Sequence, residues 1–463
     1  MLTQAKRLAG PPATYAFSAP AENFSRRRAQ NPLGAASRLN LNGADRHRGG
    51  RRGVRFRLLP KSATGTARRI LLARGLRAFA DGFVSVLLPV YLLDLGFSAT
   101  GVGVIATATL LGSALLTLAV GIWAGGIARP ALLVAASLLM TGTGVAFGLV
   151  EAFWPLAIIA LVGTINPSTG DVGVFLPLEQ SILAEAVAPQ ERTALFARYS
   201  LIGSLFGAFG TLLAVAPEWL QAAFGWTPRA ALQAMFFLYA FTGVAAALIY
   251  RGVRPPPAHE PVRQGPLGPS RGTVYRLAAL FSVDAFAGGF FVQSLLALWL
   301  FARFDMPVAT AAQVFFAMNL LAAVSFLAAV PVARRFGLIN TMVFTHLPAN
   351  LCLIAVPFVG DAWLAIALLC ARSLLSQMDV PTRTSYVMAV VTAAERAAAA
   401  SVTAVPRSLA SSLSPSLAGW LLSLTSFGWP LLIGGTLKAA YDLVLLVQFR
   451  NVRPPEERSA RQT

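Results

Sequence analysis

Twelve stretches of this chain are apolar enough, over enough residues, to cross a lipid bilayer as helices. A helix needs about 20 apolar residues to span the hydrocarbon core. Runs of that kind fall at about 70–94, 100–124, 131–150, 153–187, 193–215 and 230–250, then at about 275–303, 308–333, 338–359, 362–390, 397–422 and 428–449. Between the two groups runs a polar stretch rich in Pro and Arg, from Arg251 to about Arg271. Only 12% of the residues are charged and 56% are hydrophobic, against roughly 25% charged in a soluble domain. A soluble protein of this length would need far more polar surface to cover its core. The expected fold is therefore an all-α integral membrane protein of about twelve transmembrane helices in two six-helix bundles. The halves are 70–250 and 275–450, joined by a linker at 251–274 and followed by a polar tail at 451–463.

The net charge of +19 does not imply nucleic-acid binding, because about two thirds of the excess lies before residue 70. Residues 1–69 read as a disordered basic extension: rich in Ala, Gly, Pro and Ser, with no sustained apolar period. A gene-model extension, a plain tail, an Arg-rich transit peptide and a lipid- or nucleic-acid-binding arm all fit this composition; a secretory signal does not, for want of an apolar core. The remaining basic residues set the orientation. With the first helix starting in the cytoplasm, the inside loops carry Arg129, Arg192, Arg251, Arg254, Arg263, Arg271, Arg276, Arg334, Arg335, Arg396, Arg450 and Arg453. The outside loops carry only Arg229 and Arg303, with Asp94, Glu151, Glu218, Asp305 and Asp361. Both termini are expected in the cytoplasm, in a bacterial inner membrane.

Soluble-enzyme chemistry has no obvious place. Cys352 and Cys370 sit inside apolar runs, poor positions for a disulfide or a zinc ligand. His47, His259 and His346 form no metal spacing, and no phosphate-binding glycine loop or Ser-His-Asp grouping stands out. No catalytic residue, metal or cofactor is expected.

An internal repeat supports the division into halves. Pro177–Ser181 (PLEQS) is followed by Glu191-Arg192, and Pro381–Ser385 (PTRTS) by Glu395-Arg396. The two prolines, like the two glutamates, lie 204 residues apart, and Phe79-Ala-Asp-Gly82 faces Phe286-Ala-Gly-Gly289 at a separation of 207.

With these motifs, residues 70–450 resemble the major facilitator superfamily. Its loop between helices 2 and 3, G-x-L-A-D-R-x-G-R-R, is matched in part by Gly121, Ala124 and Arg129, and the loop between helices 8 and 9 by Ala333, Arg334, Arg335, Phe336 and Gly337; neither keeps the acid. The family's helix 5 motif, G-x-x-x-G-P-x-x-G-G, associated with antiporters, is approached by Gly203, Gly207 and Gly210, and on helix 11 by Ser414, Pro415 and Gly419. Two readings stand: small residues that let helices pack closely, or an antiporter signature. Helix 4 carries Asn166-Pro167-Ser-Thr-Gly170-Asp171. That segment either interrupts it, as in transporters that bind solute at broken helices, or merely kinks a long helix. With its counterpart Asp379-Val-Pro-Thr-Arg383, it resembles an uncharacterised bacterial subgroup of facilitators.

Ionisable groups within a span cost roughly 2.5–3.5 kcal/mol on insertion scales, so each is a functional suspect. They are Arg77, Asp81, Glu179, Arg198, Asp284, Arg372, Asp379, Arg383 and Arg407, with Asn166 and Asp171 in the break. The repeat sets Arg77 against Asp284 and Glu179 against Arg383, with opposite signs. Such pairs either close a cytoplasmic gate between the halves or are static pairs within one half. Asp81 and Glu179 are the candidate proton sites, and Arg372, near the midplane, is a candidate for an anionic substrate, a partner for Asp284 or a packing arginine. The resemblance implies an alternating-access secondary transporter of a small organic solute, expected to be proton-coupled and monomeric. Efflux is favoured over uptake on the small-residue motifs alone. Symport or uniport of an organic anion, and a non-transporting receptor, are the alternatives.

Overall fold

A computed structural model describes residues 65–124, 126–168, 173–186, 192–254, 267–392 and 395–450. The basic extension up to residue 64, most of the linker, the tail and Asp171 lie outside the described residues. Within them every regular element is helical.

The first half comprises α1 (Gly65–Asp94), α2 (Ala99–Trp123), α3 (Arg129–Leu149), α4 (Phe153–Val162), α5 (Phe175–Glu185), α6 (Arg192–Leu212), α7 (Ala216–Phe224) and α8 (Pro228–Arg251). The second comprises α9 (Arg271–Gly289), α10 (Gln293–Phe304), α11 (Val308–Phe336), α12 (Leu338–Ala355), α13 (Ala362–Ser376), α14 (Asp379–Val390), α15 (Arg396–Leu424) and α16 (Trp429–Phe449). Among the described residues ten segments are long and apolar enough to span a membrane, counting α6–α7, α9–α10 and α13–α14 as one each. The interrupted pair α4–α5 and the serine-rich α15, with Arg407 at its centre, occupy the two remaining places in the expected order of twelve.

Local chemistry marks the ends. Ser98 accepts from the Gly101 amide at 3.3 Å and Thr227 from Ala230 at 3.3 Å, while Asp361 accepts from Leu364 at 2.7 Å. Each satisfies an amide that the first helical turn leaves open. Pro228 follows its cap at a position where the missing N–H costs nothing. Gly225 closes α7 at φ +68°, a conformation that favours glycine.

The helix 4 segment is interrupted rather than kinked. Helix α4 stops at Val162, Asn166 Oδ1 accepts from the Ser168 amide at 3.0 Å and its hydroxyl at 2.9 Å, and Gly173 sits at φ +132° before α5 begins. Helices 7 and 10 are broken as well, at Phe290–Val292 and Gln377–Met378, where the sequence had read as the continuous runs 275–303 and 362–390. Free backbone groups at such breaks must be satisfied by protein or cavity water. Here the breaks of helices 4 and 7 satisfy one another across the halves, the Ser294 amide donating to the Pro167 carbonyl at 3.0 Å.

The apolar core divides along the bundle axis. At the end remote from the termini, one cluster joins both halves, from Leu88 and Tyr91 to Trp299 and Phe315. At the end carrying the termini there are two separate clusters. One lies around Ile70, Leu133 and Ile182, the other around Leu277, Met342 and Leu445. Large apolar side chains on the outer surface, among them Trp154, Leu149, Trp363 and Val447, are exposed, as a lipid-facing perimeter requires.

Candidate functional site

Each half contains its own buried charge network. In the first, Arg77 on α1 donates from Nη2 to Glu179 Oε2 on α5 at 2.5 Å and from Nε to the Tyr250 hydroxyl at 3.2 Å. Its guanidinium stacks 3.9 Å from the centroid of Phe175. Glu179 is 0% exposed and also accepts from Tyr199 at 2.6 Å and from Tyr250. A carboxylate so enclosed survives as an ion because its lone pairs are occupied by donors. Protonating it would forfeit the pair with Arg77. Asp81 lies one turn beyond Arg77, and its Oδ2 is 3.5 Å from Asn166 Nδ2. Arg77, Asp81, Ser113, Thr164, Asn166 and Tyr239 line one small cavity beside the helix 4 break.

The second half repeats the arrangement with the signs exchanged. Asp284 on α9 accepts from Arg383 Nη1 on α14 at 3.2 Å and from Lys438 Nζ on α16 at 2.5 Å. Arg383 also donates to Asp379, one turn before it, and its guanidinium lies 5.3 Å from the Phe281 ring centroid. So the residues that the repeat aligns do pair, but within each half: Arg77 with Glu179, Asp284 with Arg383. Of the two readings left open, a gate between the halves or a static pair within one, this geometry has the form of the second. The physical reason is commitment: Glu179 has three donors and Asp284 two cations in their own bundles, so neither charge is available to the other half.

Of the candidate arginines within the spans, Arg372, Arg198 and Arg407 pair with no carboxylate among the described residues. Arg372 stacks at 4.7 Å on Phe291, next to the helix 7 break, with its Nε unbonded; of the readings offered, this geometry has the form of a packing arginine rather than a partner for Asp284. Arg198 has a buried Nη1 without an acceptor. Arg407 is exposed at the centre of α15 and lies in the electrostatic range of Arg383, Asp284 and Asp379, which places it on the inner side of the bundle.

The small-residue motifs close helix contacts. A Cβ on Gly82 would meet the Gly207 carbonyl and lie 2.9 Å from Gly210 Cα, so α1 and α6 touch backbone to backbone. Gly203 leaves room for the Arg74 guanidinium. In the second half, Ser414 donates to the Phe286 carbonyl at 2.5 Å, joining α15 to α9. Between the halves, Gly103 on α2 faces Pro415 and Gly419 on α15.

Several hydrogen bonds and a ring contact join the halves away from the start of α1 and the end of α16. Gln293 donates to Ser85 at 2.8 Å, Ser416 to Thr107 at 2.7 Å, and Thr100 lies 3.1 Å from Ser423. Phe209 meets Phe316 with centroids 5.7 Å apart.

Sequence reasoning passed over Lys438, His346, Asn350 and Asp442. His346 Nδ1 lies 2.9 Å from Asp442 Oδ1, and Asn350 Nδ2 donates to Asp442 Oδ2 at 2.8 Å. A signal was there: Lys438 and Asp442, four apart, are the only charges in an otherwise apolar span. For Tyr199 and Tyr250 there was none, since a tyrosine in a span is unremarkable until its hydroxyl is placed.

A curated relative, an uncharacterized membrane protein of Saccharomyces cerevisiae, is 21% identical over 413 residues, covering 81% of this chain and 92% of the relative. It is a yeast protein, so this match does not support the expected bacterial subgroup. Among solved structures, an inward-facing, occupied bacterial homologue of the human lysosomal transporter Spinster matches with a TM-score of 0.67 at 16% identity, over 84% of this chain and 97% of that one. The nucleoside transporter NupG matches with a TM-score of 0.65 at 12% identity, over 83% of this chain and 100% of that one. At such identities the likeness concerns the fold. The sequence profile of the Major Facilitator Superfamily matches residues 70–414, and its members are transporters rather than enzymes. The protein is thus an integral, multi-pass membrane protein, and the chain belongs to the Major Facilitator Superfamily.

Proposed function

We propose that this chain is a secondary transporter that carries a small organic solute by alternating access, with the proton as coupling ion, its two halves rocking about a midplane site. The observation that carries the reading is the divided core. The halves share apolar packing only at the end remote from the termini, while each holds its charges in a network of its own. Bundles joined in that way can rotate as rigid bodies without breaking a buried ion pair. With both termini in the cytoplasm of a bacterial inner membrane, as the basic loops favour, this is an inward-open state of a monomer.

Asp81, beside Asn166 in the cavity at the helix 4 break, remains a proton-site candidate in this reading; Asp171 belongs to the same break. Efflux by proton exchange rests on the motif around Gly203, Gly207, Gly210, Ser414, Pro415 and Gly419, which also has its packing role. A second reading, uptake or uniport of an organic anion, is favoured by Arg372, Arg198 and Arg407. Guanidinium groups without carboxylates suit a carboxylate- or phosphate-bearing solute.

The test is solute-dependent proton flux in proteoliposomes loaded with a pH-sensitive dye, screened over cationic, anionic and neutral solutes. A flux establishes coupling and its sign separates antiport from symport. Loss of anion flux in Arg372→Leu, with cation flux absent throughout, selects the second reading. No solute-driven flux of either kind, with no radiolabelled uptake, sinks both.

A further inference from the structure

The seam between α12 and α16 holds an acid–base pair that neither the transport cycle above nor the cavity at the helix 4 break uses. His346 is 4% exposed and Asp442 1%, each halfway or further along its helix. The imidazole meets one carboxylate oxygen at 2.9 Å and Asn350 holds the other at 2.8 Å. To bond an ionised carboxylate, Nδ1 must carry a hydrogen, which leaves Nε2 as the atom that can gain a proton. Nε2 makes no hydrogen bond among the described residues.

The surrounding charges make that proton consequential. On α16, Lys438 lies one turn before Asp442, and the Tyr441 ring is 6.3 Å from the imidazole. On α9, Asp284 is within electrostatic range of His346. Helix α14 brings Arg383, Asp379 and Tyr386; α13 brings Arg372 and Cys370; α12 itself carries Asn350 and Cys352. Helix α11 has nothing ionisable before Arg334. Lys438 is the link, since it grips Asp284 at 2.5 Å while its own helix carries Asp442 four residues on. An imidazolium supplies the charge that Asp442 needs and leaves Lys438 to Asp284. A neutral imidazole leaves Asp442 to compete for Lys438. Asp284 stands on α9, which ends at the helix 7 break, and the residues just beyond it, Gln293 and Ser294, make the bonds to Ser85 and Pro167 of the other half.

We propose that His346, held by Asp442 and Asn350, is a proton-binding site, and that its occupancy is passed through Lys438 and Asp284 to the seam between the halves. The bookkeeping is one proton from water added to Nε2, with no covalent bond broken. This deepens the proton-coupled reading of the protein and rests on it. It moves the coupling proton from the candidates Asp81 and Glu179 to a pair on the outer side of the second half.

The proton itself is the probe, so no substrate need be known. The full chain, with Cys352 and Cys370 replaced by serine, is spin-labelled through Trp123→Cys and Ser401→Cys. These sites lie at the terminal-end portions of α2 and α15, whose other ends meet at Gly103 and Gly419. Pulsed dipolar distances in nanodiscs are read from pH 5 to 8. We expect the ratio of open to closed distances to change by up to about tenfold per pH unit for one coupled proton. In His346→Gln, which can still donate to Asp442 but cannot titrate in this range, it should stay flat. In parallel, 15N spectra of histidine-labelled wild type, assigned by difference from His346→Gln, should show His346 passing from one ring proton to two within that range. Lys438→Met should keep the titration but lose the distance change. If wild type and His346→Gln respond to pH alike, or if His346 stays in one state throughout, the proposal is overturned while proton coupling elsewhere stands. If the wild-type distances ignore pH, the proton-coupled reading falls with it.

Discussion

The pairing of charges within rather than between halves makes a quantitative prediction. Glu179 is fully enclosed and accepts from Arg77, Tyr199 and Tyr250. Removing one partner of a buried ion pair costs about 3–5 kcal/mol, because the other charge is left uncompensated. Two tyrosine donors remain on Glu179 when Arg77 is lost, which puts Arg77→Gln at the lower end, about 3 kcal/mol. Glu179→Gln leaves Arg77 on Tyr250 and Phe175, at a cost of about 2 kcal/mol. Replacing both removes the charges together, at about 2 kcal/mol for the hydrogen bonds weakened. The double-mutant cycle should thus return a coupling of about 2–3 kcal/mol, while Glu179 with Arg383, which share no partner, should be additive to within about 0.5 kcal/mol. The assay is reversible denaturant unfolding in mixed micelles, with each single variant and both doubles. A Glu179–Arg383 coupling as large as that of Arg77–Glu179 would refute the reasoning and restore a gate between the halves.

Three more outcomes follow from particular contacts. Gly82→Ala drives a methyl group into the backbone of α6 and should destabilise by about 1–3 kcal/mol in the same titration, whereas Gly121→Ala, with open space around it, should be neutral. Oxidising a Thr107→Cys/Ser416→Cys pair, whose present hydroxyls are 2.7 Å apart, should stop transport, and reductant should restore it; unimpeded transport by the cross-linked protein would show that this end need not open. Glu395, in the loop before α15, accepts from the Thr392 hydroxyl at 2.6 Å, the Gly268 amide at 2.6 Å and Ser270, and these bonds pull its pKa down from 4.5 to about 2. A lowered folded pKa means the tie is fully present above about pH 4.5 and is lost as pH falls toward 2. Hydrogen exchange at Gly268 and Ser270, corrected for intrinsic rate, should be level from pH 8 to 5 and rise below 4. Glu395→Gln should remove that rise.

The helical, membrane-spanning character of the chain was legible in the sequence because lipid imposes a length and a composition on each helix independently of its neighbours. The duplication was legible too, since equal separations between Pro177 and Pro381 and between Glu191 and Glu395 need no structure to be seen. The separation also singled out Arg77, Glu179, Asp284 and Arg383, which form one buried pair in each half. What it left open was which of them touch. Pseudo-equivalent positions are related by rotation between bundles, and a contact within a bundle and one across the interface leave the same trace in an alignment. Only the packing of α5 against α1, and of α14 against α9, decided for the former. The same holds for His346, Lys438 and Asp442. The spacing of Lys438 and Asp442 on α16 is visible in the sequence, but it took the meeting of α16 with α12 and α9 to give Asp442 its His346 and Asn350 and Lys438 its Asp284.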